Sequence, residues 1–227
     1  LLESPDVIRA DFDLLAPFST DGWDHNRHYH AFLLRQLPPH CAAALEIGCG
    51  TGGFARLLAG RADHVFALDL SPEMIRVARE RSHDYANIEY RVADVMACDL
   101  PLASFDCAVS IATLHHLPLE SVLTTLRGAL KPGGVLALLD LFESAGPRDR
   151  ALAALAVPVS GALNLLKTGR LRPSQETRAA WAAHGRHDLY MTLDEVRRVC
   201  AAVLPGARVR HHLLWRYSLV WRKSGHL

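Results

Sequence analysis

The chain has 227 residues, half of them apolar and 22% charged, the balance of one soluble globular domain with a proper core. Its five cysteines, at 41, 49, 98, 107 and 200, are odd in number and form no CxxC pair, which excludes a disulfide frame and a cysteine zinc site and points to reduced thiols in an intracellular, cytoplasmic protein. The net charge of +1 conceals an asymmetry: only 5 of the 24 acidic residues lie after position 147, against 14 of the 25 basic ones, as an arginine-rich solvated surface or an anion-attracting face would have it.

An amphipathic stretch over 6–15 opens the chain and leads into a polar segment carrying His25, His28, Tyr29 and His30. A helix ending near Leu37 is stopped by Pro38-Pro39, and a first strand is predicted over 42–47. The run Leu45-Glu46-Ile47-Gly48-Cys49-Gly50-Thr51-Gly52-Gly53 then joins that strand to a helix over 54–59. Glycines at such a turn allow positive φ and leave no Cβ to block a ligand, and the helix start favours anions. A second strand over 64–68 delivers Asp69, 21 residues after Gly48, where a carboxylate can grip a ribose diol. Gly48, Gly50 and Gly53 satisfy G-x-G-x-x-G, a pattern that by itself does not say which nucleotide binds.

Ser71-Pro72-Glu73 starts a helix with a serine cap, a proline and an acid in the first turn, and Met74, Ile75, Val77 and Ala78 give it a buried stripe. Ile88, Tyr90 and Val92 alternate as a third strand that ends at Asp94. A fourth strand is expected over 105–111, a helix over 122–130 ended by Pro132-Gly133-Gly134, and a fifth strand over 135–139. Five such alternations argue a parallel sheet covered on both faces. Residues 143–190 break the rhythm with two helical pieces and a polar loop, too long for a simple crossover. The most apolar part, 151–166, is interrupted by Pro158, Ser160, Gly161 and Asn164, so no uninterrupted run reaches the roughly 18 residues of a membrane span. A helix over 193–203 follows, and the alternation of Leu213, Trp215, Tyr217, Leu219 and Trp221 predicts a half-buried, non-parallel strand within 207–222.

With those residues in view, the chain resembles the class I S-adenosylmethionine-dependent methyltransferases, in their small-molecule branch. The resemblance rests on residues 45–52, on Leu68-Asp69-Leu70-Ser71-Pro72-Glu73-Met74-Ile75, on Ala93-Asp94-Val95, on 105–110 with Leu114-His115-His116-Leu117, and on Leu130-Lys131-Pro132-Gly133-Gly134. It covers roughly residues 24–141 and the C-terminal strand pair. It implies a Rossmann-like α/β fold: a seven-stranded sheet with an antiparallel last strand, helices on both faces and a helical insert after strand five. The division it suggests is an N-terminal helical lid (1–40), a cofactor-binding core (41–142), a substrate-side insert (143–190) and a C-terminal helix with strands (191–227).

The resemblance also implies roles. Gly48, Cys49 and Gly50 would pass under the methionine part of S-adenosyl-L-methionine, with Glu46 near its amino group. Asp69 would hold the ribose, Leu70 and Met74 would pack on the adenine, and Asp94, flanked by Ala93 and Val95, would accept from its amino group. Backbone at Ile111 and the side chain of Tyr29 would approach the methionine moiety. Methyl transfer needs alignment, exclusion of water and, for an OH or NH⁺ acceptor, a base. His116 is the candidate base, beside His115, with His184, His187 and Tyr190 able to reach in from the insert. His25, His28 and His30 have no paired carboxylates to make them a metal site, and no metal is expected.

The expected activity is methyl transfer to O, N or C of a small molecule, a secondary metabolite by the family's habits. The basic residues Lys167, Arg170, Arg172 and Arg178 would cap an acceptor, form a homo-oligomer face or touch a membrane surface. A nicotinamide reductase has no Tyr-x-x-x-Lys pair to support it. A nucleic-acid methyltransferase lacks an Asn/Asp-Pro-Pro-aromatic element after strand four, which argues against a nucleic-acid partner. A non-catalytic protein that binds the cofactor is the remaining alternative.

Overall fold

The computed structural model describes residues 4–172, 174–185 and 188–225. The strands are β1 (Cys41–Ile47), β2 (Ala62–Asp69), β3 (Ile88–Val92), β4 (Phe105–Ile111), β5 (Leu130–Asp140), β6 (Arg208–His212) and β7 (Arg216–Arg222). They make one sheet in the order β3-β2-β1-β4-β5-β7-β6. The first five strands run parallel, while β7 lies antiparallel between β5 and β6. Because β1 pairs with both β2 and β4, the winding reverses at β1, and the carboxyl edge beside it is where such sheets bind ligands.

The helices are α1 (Pro5–Leu15), α2 (His30–Leu34), α3 (Ala55–Ala59), α4 (Pro72–Arg81), α5 (Leu119–Ala129), α6 (Pro147–Thr168), α7 (Gln175–His184) and α8 (Leu193–Val203). The cap of α4 is as the sequence reads: Ser71 Oγ accepts the amide of Met74 at 3.0 Å. A reciprocal box starts α8, where Thr192 Oγ1 accepts the Glu195 amide and Glu195 Oε2 accepts the Thr192 amide. One core joins α5 and α8 to the face of the sheet that carries Leu45, Ile47, Phe105, Leu136 and Leu219. On the other face Leu33, Leu58, Ile75, Val109 and Leu139 pack together. A parallel sheet covered twice explains why Cys107, Ala108 and Val109 are all fully buried.

Two expectations need correction. Alternation alone reads 207–222 as one strand; it is a hairpin, β6 and β7, the strand pair that the resemblance implies, with its turn at Leu213–Trp215 and Trp215 at φ +53°. No glycine marks that turn, so the alternation ran unbroken across it. Nor is β7 half-buried: Arg216 and Ser218, the polar positions, are as enclosed as their apolar neighbours. The polar interruptions in 151–166 break the apolar run without breaking the helix: α6 runs 22 residues through Pro158. By length and composition it is long enough and apolar enough to cross a membrane, and only 11% of its most apolar stretch is buried.

Candidate active site

The carboxyl ends of the parallel strands bring Gly48, Asp69, Asp94, Ile111 and Asp140 to one edge of the sheet. At the first of these, Gly48 has φ +67°, and the space a Cβ would take is filled by the side chain of Thr113 from the loop after β4. Gly50 also has positive φ, +50°, but no atom beyond its chain neighbours lies within 4 Å of where its side chain would be, so the turn is open there. The helix expected over 54–59 is α3, with Phe54 as its N-cap, and the glycine-rich stretch before it is a turn, with the Gly52 amide on the Cys49 carbonyl at 2.9 Å.

Asp69 ties this turn to the next one. Its two oxygens accept the amides of Gly50 (2.7 Å) and Ser71 (2.9 Å). Burial raises its pKa to about 6, against the pull of those two amides. Glu46 is buried beneath, its Oε2 without a hydrogen-bond partner among the described residues. Burial, and then the charge of Asp69, push the Glu46 carboxyl well above its usual range. From outside, Asp21 gathers Arg27 (2.6 Å) and Arg56 (2.8 Å), and Arg56 also donates to the carbonyl of Thr51. The polar segment before α2 thus buttresses the glycine turn.

Beside Asp69 lies a cleft of about 430 Å³ between Leu70, Pro72, Val92, Ala93 and Asp94 on the sheet side and Pro5, Asp6 and Arg9 of α1. Asp94 accepts the amide of Met96 through Oδ1, which fixes its turn. Helix α1 is held there by Asp13, which accepts from Ser71 Oγ (2.5 Å) and from the Glu73 amide (3.2 Å).

Around the corner, past Thr113, a second constellation assembles. His115 Nδ1 meets Asp140 Oδ1 at 2.7 Å, and the His115 amide donates to the other oxygen of Asp140 at 2.9 Å. His115 Nε2 and His116 Nδ1 face Asp188 at 3.9 and 3.7 Å, and Tyr190 donates its hydroxyl to Asp188 at 2.7 Å. His184 closes the group, 3.9 Å from Asp188 and 3.3 Å from Asp11 of α1. Phe12 stands edge-on to His116 and His184, with ring centroids 5.6 and 4.8 Å away. Burial, followed by the neighbouring His115, lowers the pKa of His116 to about 4, so it is neutral at pH 7. Burial also disfavours a charge on His115, but Asp140 outweighs it and the net shift is upward.

Not every candidate joins these two centres by its side chain. Met74 packs with Leu15 and Ala16, and the side chains of Cys49 and Val95 lie in the two main cores, leaving only backbone to face a ligand. The Tyr29 hydroxyl accepts the amide of Leu214 at the hairpin turn. Ile111 is half-buried, and its carbonyl accepts from Thr113. His25 bonds to Ser160 of α6 while His30 packs on Phe54, so these histidines do not converge. Lys167, Arg170, Arg172 and Arg178 face solvent, and His187 lies outside the described residues. The residues that sequence reasoning missed are Asp11, Asp140 and Asp188. Only Asp140 left a signal, an acid closing an apolar strand as Asp69 does.

Seven strands in this order, a glycine turn at the winding reversal and an acid ending β2 define a nucleotide-binding methyltransferase architecture, and the chain belongs to the class I S-adenosylmethionine-dependent methyltransferases. It matches the family described as "Methyltransferase domain" over residues 45–138. It is 34% identical over 201 residues to an uncharacterized methyltransferase of Mycobacterium tuberculosis, a match covering 88% of this chain and 96% of that one. A ubiquinone biosynthesis O-methyltransferase of Xylella fastidiosa is 29% identical over 204 residues, covering 80% and 79%. Among solved structures, the DhpI–SAH complex superposes with a TM-score of 0.66 at 20% identity, covering 98% of both chains. Phosphoethanolamine N-methyltransferase 2 of Haemonchus contortus, bound to phosphomonomethylethanolamine and S-adenosylhomocysteine, gives 0.66 at 18% identity over 94% of this chain and 57% of that one. The protein is an S-adenosylmethionine-dependent methyltransferase.

Proposed function

We propose that this enzyme methylates an oxygen of a small molecule, with the acceptor hydroxyl presented to the cluster of His115, His116, Asp188 and Tyr190. The observation that carries this reading is the His115–Asp140 pair, buried at the carboxyl edge of the sheet and next to the glycine turn through Thr113. An imidazole oriented by a carboxylate is the usual arrangement for handling a proton at neutral pH. The kinship with ubiquinone biosynthesis O-methyltransferases supports oxygen as the acceptor atom.

Bound S-adenosylmethionine supplies a methyl group on a sulfonium. The residues present fit it: the unpartnered Glu46 carboxylate suits an ammonium, and the open side of Gly50 leaves room for a ligand. Gly48 and the Cys49 backbone complete the turn, with Ile111 beside them. Asp69 would hold the ribose hydroxyls, and Leu70, Ala93, Asp94 and the Val95 backbone would line the adenine side of the cleft. Met74 would act from beneath by holding α1 in place, and Tyr29 by fixing the hairpin turn.

On the acceptor side, neutral His116 is able to receive a proton, and its buried Nε2 has no hydrogen-bond partner among the described residues. Phe12 and the enclosing helices exclude water from that exchange. The test is methylation with labelled cofactor across a panel of phenols, catechols and hydroxy acids, set against bulk RNA. Transfer to a small-molecule hydroxyl is expected. Transfer to RNA alone, or to none of the panel despite cofactor binding, would overturn the reading.

A further inference from the structure

We propose that His115, His116 and Asp188 form a binding site for a divalent transition-metal ion. The three side chains come from two distant parts of the chain, the turn after β4 and the loop after α7. They are 6%, 7% and 4% exposed, and one donor atom from each lies within 4.8 Å of the other two.

The distances carry the argument. A buried carboxylate among imidazoles ordinarily closes to hydrogen bonds of about 2.7–3.2 Å. Here His116 Nδ1 stops 3.7 Å from Asp188 Oδ1, His115 Nε2 stops 3.9 Å from Oδ2, and His184 Nε2 stops 3.9 Å from Oδ1. Donors that converge without bonding to one another are what an ion between them requires. Ligands about 2.0–2.1 Å from a tetrahedral ion stand roughly 3.4 Å apart. Asp188 Oδ1 is buried and has no hydrogen-bond partner among the described residues, whereas Oδ2 is taken by Tyr190.

The surroundings match as well. Asp140 accepts from His115 Nδ1, which leaves the lone pair of Nε2 facing Asp188. A carboxylate behind a ligating histidine, fixing its tautomer, is the common outer shell of such sites. His184 is backed in the same way by Asp11, at 3.3 Å, and stands as a fourth donor at the rim. Two or three imidazoles and one carboxylate suit zinc, iron(II) or manganese. Magnesium and calcium take oxygen sets instead.

The ion's role rests on the proposed acceptor site: bound there, it would take the acceptor's oxygen as a further ligand and orient it. His116 would then serve as a ligand instead of a base.

The experiment begins with protein stripped by a chelator, into which Zn²⁺ is titrated by calorimetry and Co²⁺ by visible absorption. A single saturable site is expected, of micromolar affinity or tighter, with cobalt bands of a low-symmetry nitrogen–oxygen set. Asp188→Asn and His116→Ala should each abolish those bands, and Asp140→Asn should weaken the ion by about 10–100-fold. His83→Ala, at an exposed His–Asp pair, should change nothing. The S-adenosylhomocysteine affinity of each variant, measured separately, reports whether it has folded.

No saturable site in the wild type, or one that survives Asp188→Asn, overturns the proposal. Full-rate methylation of a small-molecule hydroxyl by stripped protein that takes up no ion would sink the metal and leave the acceptor reading standing. A saturable ion in an enzyme that methylates only RNA would do the reverse.

Discussion

The two ends of the sheet's carboxyl edge are built differently. On the β1–β2–β3 side the working parts are mostly backbone: the positive-φ turn at Gly48 and Gly50, and the amides of Gly50 and Ser71 gathered by Asp69. All of it comes from one continuous stretch of chain. On the β4–β5–β7 side the parts are single side chains drawn from far apart, with His115 beside Asp140, Asp188 beside Tyr190, and Asp11 reaching in from α1. A backbone device binds a constant partner and tolerates little change. A side-chain cluster can be rebuilt one residue at a time, which would suit the acceptor compartment proposed there.

If the two compartments are separate in this way, variants should act on one and spare the other. The largest effect is expected from Asp188→Asn. Methyl transfer should fall by about 10²–10⁴-fold, the range for disabling acid–base handling of the acceptor when the carboxylate facing His115 and His116 is lost, with S-adenosylhomocysteine affinity within about twofold of wild type. An equal loss of cofactor binding would erase the distinction. Asp69→Ala should do the opposite and weaken S-adenosylhomocysteine by about 100-fold in calorimetry, since two charge-assisted hydrogen bonds are lost. An unchanged dissociation constant would remove Asp69 from the site.

Acid should reproduce that second defect in milder form. The Asp69 carboxyl titrates at about 6, and its ionised form is the acceptor, so cofactor affinity should be flat above pH 7. Below pH 6 it should fall by about tenfold per unit, and a flat profile to pH 5 would contradict the assignment. The smallest effect lies outside both regions, where His25 of the N-terminal segment bonds to Ser160 of α6 at 2.7 Å. Burial lowers the pKa of His25 from 6.5 to about 4, so the folded state prefers it neutral. Its contribution is therefore complete above pH 6.5 and is lost as pH falls toward 4. In His25→Phe the acid-induced drop in melting temperature over that window should shrink by roughly 2 °C. An unchanged drop would mean that this histidine is not part of the acid response.

What could be read from the sequence followed the same divide. The limits of β4 and α8 match the residues 105–111 and 193–203 because each is a local pattern with its own boundary signals. The glycine turn, Asp69 and the Ser71 cap were legible for that reason too. The hairpin at Trp215 was not, since a non-glycine residue at φ +53° leaves no mark in the sequence. Asp11 and Asp188 were invisible because an isolated acid in a helix or loop reads as surface until the fold puts a histidine against it.

Helix α1 touches both compartments, through Asp13 at Ser71 and through Asp11 and Phe12 at His184 and His116. If the cleft and the histidine cluster hold cofactor and acceptor as proposed, a single element packed against both would make their opening one event. Spent cofactor and methylated product would then leave through the same gate, and turnover would be paced by its opening when chemistry is fast. Initial-rate patterns with product inhibitors would record that as a shared release step, in place of two independent ones.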